Sequence, residues 1–201
     1  MRFFRPFLPA VWLFREALFR ISISEKRACL TFDDGPDPES TPELLDILDT
    51  MNVKAVFFCS GNAAEKYPEI AVEIKRRGHI LGNHGYYHLN GCSTTLKEYC
   101  ENAARASQFT SDSLFRPPYG RLRISQYKQL KKSFKIVFWD IMSYDYDTSF
   151  GAERSLSLLN RNLRPGSIIV LHDTPSSTCK SFLKEFIKTA VGKGYTFCIS
   201  V

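Results

Sequence analysis

Two adjacent acids, Asp33 and Asp34, close the apolar run Ala28-Cys29-Leu30-Thr31-Phe32 and are followed by Gly35-Pro36. Adjacent residues leaving a strand point in different directions, so one carboxylate can bind a metal while its neighbour takes a proton. Taken alone, Asp-Asp-Gly-Pro also reads as a simple turn, since all three residue types are common turn formers. The histidines shift that balance. Of the four in the chain, His84 and His88 stand in His-x3-His spacing just beyond the apolar stretch 79–82. On a helical turn this spacing puts both imidazoles on one face, suited to a shared metal. With Asp34 they make a site of two imidazoles and one carboxylate, which leaves a coordination position open, as catalytic metals require. His172 ends the apolar run 167–171 and reads either as a hydrogen-bonded strand end or as a group at the rim of a site. His79 precedes its strand and reads as structural. Phe115-Arg116-Pro117-Pro118-Tyr119-Gly120 is a stiff loop that can hold a guanidinium against a carboxylate and aim a backbone N–H inward; the same residues also suit an ordinary turn.

Such groups act together only if a scaffold brings strand ends to one place. Strand candidates lie at 28–32, 54–59, 79–82, 113–115, 134–139, 167–171 and 195–200, with helix candidates near 40–50, 62–77, 93–109, 123–132, 152–163 and 178–192. This alternation predicts an α/β domain with a parallel sheet and helices outside it, either an open doubly wound sheet or a distorted barrel. In such folds the carboxyl ends of the strands carry the active site. Thr41-Pro42-Glu43 reads as the start of the first helix, with Thr41 as its cap. Gly78 and Gly194 stand where helices end in a left-handed residue.

With 201 residues the chain is long enough for one domain with a substantial core. The 27 Lys and Arg against 21 Asp and Glu give a net charge of +6. They are scattered rather than gathered in a stripe, and no aromatic RNA-reading motif accompanies them, so nucleic acid is not an expected partner. None of the six cysteines forms a CxxC pair; Cys29, Cys59 and Cys198 fall in apolar runs where a free thiol behaves as a small hydrophobe. Residues 1–24 form a basic-aromatic segment distinct from the domain at 25–201. Pro6, Pro9 and Arg15-Glu16 interrupt its apolar run, against the pattern of a secretory signal. The segment either packs on the domain or lies at a membrane surface. The expected location is the cytoplasm or the inner face of the membrane.

Over residues 27–201 the chain resembles the polysaccharide deacetylases, the NodB-like family-four carbohydrate esterases. Five ordered motifs carry the resemblance: Thr31-Phe32-Asp33-Asp34-Gly35-Pro36, His84 to His88, Arg116-Pro117-Pro118-Tyr119-Gly120, Trp139 to Tyr146, and Ile169-Val170-Leu171-His172. It implies a distorted (β/α) barrel of about seven parallel strands. It also implies one divalent metal, zinc ahead of cobalt or nickel, held by Asp34, His84 and His88. The reaction implied is hydrolysis of an N-acetyl or related acyl group on a saccharide. In this assignment Asp33 is the general base and Arg116 orients it. His172 protonates the leaving amine, and Asp145 raises the pKa of His172. Tyr119, Pro118, Tyr146, Trp139 and Leu171 face the substrate, Tyr119 through its backbone N–H.

Three positions depart from the family pattern. Gly85 stands where Ser or Thr is usual after the first motif histidine, which suggests a looser metal loop. Met142 replaces the first Asp of the usual Asp-x-x-Asp-Trp, and Tyr146 replaces its Trp, which bears on substrate choice. Two other readings remain open from sequence: a binding protein on the same scaffold without turnover, and an amidase acting on a non-sugar substrate.

Overall fold

The computed structural model describes residues 4–22, 24–111 and 113–199. Short apolar runs form the strands and amphipathic stretches the helices. In chain order these are α1 (Leu8–Leu13), β1 (Arg27–Asp34), α2 (Ser40–Thr50), β2 (Val56–Cys59), α3 (Gly61–Lys66), α4 (Pro68–Arg76), β3 (Ile80–Asn83), α5 (Leu96–Ala106), β4 (Leu114–Phe115), α6 (Ile124–Leu130), β5 (Lys135–Ile136), β6 (Ile141–Met142), α7 (Ala152–Asn162), β7 (Ile168–His172), α8 (Cys179–Gly192) and β8 (Thr196–Phe197). The strands pair in parallel in the order β5-β4-β3-β2-β1-β7-β6, and β8 joins only the first two residues of β1.

The outermost strands of this path, β5 and β6, are consecutive in the chain, with only residues 137–140 between them. At about 3.3–3.6 Å per residue that tether holds the two edges within roughly 18 Å, so the sheet curls into an incomplete barrel. The N-terminal segment fills the opening. Leu18 pairs with Val137, donating to the Ile136 carbonyl and accepting from the Phe138 N–H, both at 2.8 Å. Arg20 pairs with Ser167, and the Phe4 carbonyl accepts from the Met142 N–H at 2.8 Å. Phe14 stacks on Phe138 and meets Tyr127 edge-on, while Arg5 donates to the Asn162 carbonyl and lies against Asp140. Packing on the domain is therefore the arrangement found for much of residues 4–21; residues 1–3 lie outside the described part.

The two-residue period of the strands sorts their side chains. Ala28, Leu30, Phe32, Phe57, Cys59, Ile169 and Leu171 face outward into a core shared with α2 and α8. Cys29, Val56, Phe58, Leu114, Val137 and Ile168 face inward and fill the barrel.

Three details differ from the sequence expectations. The helix expected over 62–77 is two helices, because Pro68 disfavours the helical conformation at Tyr67 (φ −127°, ψ 60°). The strand expected over 134–139 is confined to 135–136, and β6 follows as a strand the sequence reading missed. Thr41 does not cap α2. The helix starts at Ser40, the N–H groups of Glu39 and Ser40 donate to the Asp37 carboxylate, and Thr41 accepts from the Asp37 N–H and donates to Asp173. Gly78 and Gly194 are left-handed, as expected (φ 81° and 83°).

Candidate active site

Strand register brings the chemistry to one end of the barrel. Asp33 pairs with His172 across β1 and β7, Asp34 with Cys59, Cys59 with Asn83, and Asn83 with Phe115. His84 and Arg116, each one residue further on, thus leave the sheet at the same level as the two acids. Arg116 is fully buried, which a guanidinium tolerates only when its donors are matched. They are. It donates to Asp33 Oδ1 and Thr31 Oγ1, each at 2.6 Å, and to the carbonyls of Val137 and Phe138; its guanidinium also lies 4.1 Å from the Phe58 ring centre. This fixes one oxygen of the Asp33 carboxylate and leaves Oδ2 turned toward His84 Nε2, 3.9 Å away.

His84 Nδ1 lies 2.8 Å from the Arg116 carbonyl. A carbonyl only accepts, so Nδ1 carries the proton and Nε2 presents its lone pair to the site. His88 Nε2 and His84 Nε2 stand 3.3 Å and 3.7 Å from Asp34 Oδ1. Asp34, His84 and His88 each offer a ligand atom, and all three atoms lie within 4.8 Å of one another. Ligand atoms around a tetrahedral zinc at ~2.1 Å are separated by about 3.4 Å, so this donor set fits a divalent cation with little rearrangement. Asp34 adopts φ +81°, a sparsely populated conformation for a non-glycine residue, and such strain clusters at functional sites.

The helical turn expected to pair His84 with His88 is absent; residues 84–88 form a bend. Gly85 (φ +79°) turns the chain, and both imidazoles still meet, with ring centres 5.0 Å apart. Nor does the loop lack ties. Asn102, on α5, accepts from the Tyr87 N–H and donates to the Tyr87 carbonyl, and Asn83 Oδ1 accepts from the Gly85 N–H. A Cβ at Gly85 would stand 2.7 Å from Asn102 Nδ2, so the amide occupies the space a side chain there would need.

Opposite the cluster, His172 Nδ1 bonds Asp145 Oδ1 at 2.8 Å, which leaves His172 Nε2 free to face the cavity. Asp145 is fully buried and also accepts from Ser143 Oγ, Ser177 Oγ and the His172 N–H. Burial would push the Asp145 carboxyl up, but the charge of His172 and the hydrogen bonds from His172, Ser143 and Ser177 hold it below the usual carboxylate range. Burial likewise works against protonated His172, but the charge and hydrogen bond of Asp145, aided by Asp33 and Asp34, raise it to about 9. Ser143 and Ser177 are contributors the sequence reading missed. Ser143 sits two residues from Asp145 and was within reach of a local argument; Ser177 contacts it from 32 residues away.

These groups border a cavity of about 260 Å³ lined by Asp33, Asp34, His84, His88, Tyr119, Gly120, Trp139, Met142, Tyr146 and His172. Tyr146 meets His172 edge-on at 4.8 Å, and Tyr119 meets His88 at 4.4 Å. The hydrogen bonds of the Tyr119 loop run from Gly120 N–H to Pro117 and from Arg121 N–H to Pro118, so they do not use the Tyr119 N–H. Pro118 and Leu171 are not among the lining residues. Leu171 alternates with His172 along β7 and so points out of the barrel into the helix-covered core, and Pro118 is buried behind the loop. His79 is buried, accepts from the Ala55 N–H and is pulled down to about 4, first by burial; it is structural.

Residues 21–136 match the polysaccharide deacetylase family. The chain belongs to it. A peptidoglycan-N-acetylglucosamine deacetylase of Bacillus cereus is 35% identical over 175 residues, which cover 83% of this chain and 63% of that protein. The crystal structure of a peptidoglycan N-acetylglucosamine deacetylase bound to a naphthyl N-hydroxybenzamide superposes with a TM-score of 0.87 at 32% identity, covering 96% of this chain and 94% of the other. A further neighbour is a mutant of a family-four pseudoenzyme with restored activity (TM-score 0.81, 26% identity, covering 89% of this chain and 67% of the other). Within this member of the family, the departures at Met142 and Tyr146 both lie on the cavity wall, whereas Gly85 is not among the lining residues and packs against Asn102.

Proposed function

We propose that the protein is a metal-dependent hydrolase that removes an N-acetyl or related acyl group from a saccharide or glycoconjugate. The observation that carries this reading is the convergence, on one cavity, of an Arg116-held Asp33, an Asp145-held His172 and the Asp34, His84, His88 cluster. A divalent cation bound by that cluster, zinc ahead of cobalt or nickel, supplies a Lewis acid that polarises a carbonyl and acidifies water. Asp33 accepts the proton of the attacking water at Oδ2, the oxygen its Arg116 contact leaves open. The Tyr119 N–H donates to the carbonyl oxygen as it gains charge. His172 gives a proton from Nε2 to the amine nitrogen as the C–N bond breaks, and Asp145 supports the imidazolium. Water is consumed, and a carboxylate and a free amine are released. Trp139, Met142 and Tyr146 surround the acyl group.

N-acetylglucosamine residues are the first substrates to try, because the relatives at 35% and 32% identity are named for them. The experiment is acetate release from N-acetylglucosamine oligosaccharides, comparing the wild type with Asp33→Asn. Release that Asp33→Asn abolishes supports the reading. No release from these or from a panel of other acylated amides would favour a binding protein, the reading raised by the pseudoenzyme neighbour. The intact Asp33–Arg116 and His172–Asp145 pairs weigh against that reading, since binding alone requires neither.

A further inference from the structure

We infer that α1 and the basic residues beside it form a docking face for an anionic bilayer surface. Phe7, Leu8, Val11, Trp12 and Leu13 are exposed by 55%, 83%, 38%, 74% and 44%, and α1 buries none of its residues. Five large apolar side chains exposed within seven residues is the kind of contiguous patch that marks an interaction surface. The face is not a loose end. It is pinned on one side by the bond from Met142 to Phe4 and on the other by Phe14 stacked on Phe138 and by Leu18 paired with Val137.

Charge decides the occupant. α6 lies next to this segment through the 4.9 Å contact of Tyr127 with Phe14. Residues 7–20 and 124–132 together carry Arg15, Arg20, Lys128, Lys131 and Lys132 against a single acid, Glu16, which Lys131 pairs. A tryptophan and aliphatic side chains exposed within a segment of net positive charge, beside a basic helix, is the composition of an element that lies in the headgroup region of an anionic membrane. The helix lies on the surface rather than crossing it: among the described residues no helix is long and apolar enough to span a bilayer. Met142 lines the cavity and is bonded to Phe4, and α1 begins four residues later, so its start lies within roughly 20 Å of Met142. Docking at α1 thus holds the cavity close to the lipid surface.

The test is co-sedimentation of the full chain with vesicles of phosphatidylcholine alone and of phosphatidylcholine mixed with phosphatidylglycerol, without substrate. The expected result is partition at least about tenfold stronger onto the anionic vesicles, weakened by added salt, with a blue-shifted emission that Trp12→Phe removes. Leu8→Glu and Trp12→Glu, both exposed and outside the site, should lower partition about tenfold or more while leaving the thermal unfolding transition unchanged. Wild-type protein that stays in solution with both vesicles would overturn the inference, as would Glu variants that bind like the wild type. A wild-type dimer that the Glu variants split, with no vesicle binding, would assign the face to a second copy of the chain instead.

Discussion

Arg116 and His84 are joined by the 2.8 Å contact between the Arg116 carbonyl and His84 Nδ1, while the guanidinium of the same residue holds Asp33. One residue therefore fixes the proposed metal ligand His84 with its backbone and the proposed base Asp33 with its side chain. The two roles separate by mutation. Arg116→Lys keeps the charge but loses the fork that reaches Thr31, Val137 and Phe138, so acetate release should fall on the order of 10²-fold or more. The carbonyl persists, so divalent-metal affinity, measured by titration calorimetry, should fall far less. Equal losses in both would contradict the separation. Arg116→Ala strands Asp33 in a buried site and should cost about 3–5 kcal/mol in urea unfolding.

The His172–Asp145 pair sets a pH signature. With its pKa raised to about 9 in the metal-free protein, His172 stays protonated through neutrality. A raised folded-state pKa contributes stability that is fully present below the unfolded imidazole value of about 6.5 and is lost as pH rises through about 9. An NMR titration of the metal-free protein should therefore show the His172 imidazole titrating well above the usual imidazole range. Asp145→Asn removes the charge that raises His172 and should move that titration down toward the usual imidazole range. In the wild type, a His172 titration in the ordinary imidazole range would contradict the assigned pairing.

The Asn102 amide fills the space that a side chain at position 85 would need. Gly85→Ser places a side chain at φ +79°, 2.7 Å from the Asn102 amide, and should destabilise the protein by about 1–3 kcal/mol. Asn102→Ala frees that space but removes the two bonds between Asn102 and the Tyr87 backbone. In the double variant the serine has room, so the two losses should fall short of adding. Additivity in a thermal-unfolding cycle would show that the two positions are independent.

Phe14 closes the barrel opening against Phe138 and Tyr127, so Phe14→Ala should cost about 3 kcal/mol of stability. Chemical denaturation measures it directly. A loss under ~1 kcal/mol would mean that the N-terminal segment is only loosely attached.

The sequence makes the candidate site legible where its residues stand at strand ends. Asp33, Asp34, His84, Arg116 and His172 can be read from apolar runs and their terminations, and strand register brings them together. What sequence hides is set by contacts between distant segments. Nothing local marks Asn102 or Ser177 as supports. Leu171, expected at the cavity, is excluded by the strand alternation that turns His172 inward, an argument available from sequence once His172 is assigned. The break at Pro68 was likewise readable from the residue type. The short β6 was not, because its two residues are defined by pairing with β7 rather than by any apolar run of their own. The path of residues 4–21 into the barrel opening follows from which strands lie at the edges, which periodicity alone does not reveal.

The most direct test is zinc titrated into metal-free protein while binding and acetate release from N-acetylglucosamine oligosaccharides are followed together. The account predicts one tightly bound ion per chain, acetate release that rises in step with occupancy, and loss of both in His88→Ala. Absence of stoichiometric binding, or full activity in the metal-free protein, would contradict it.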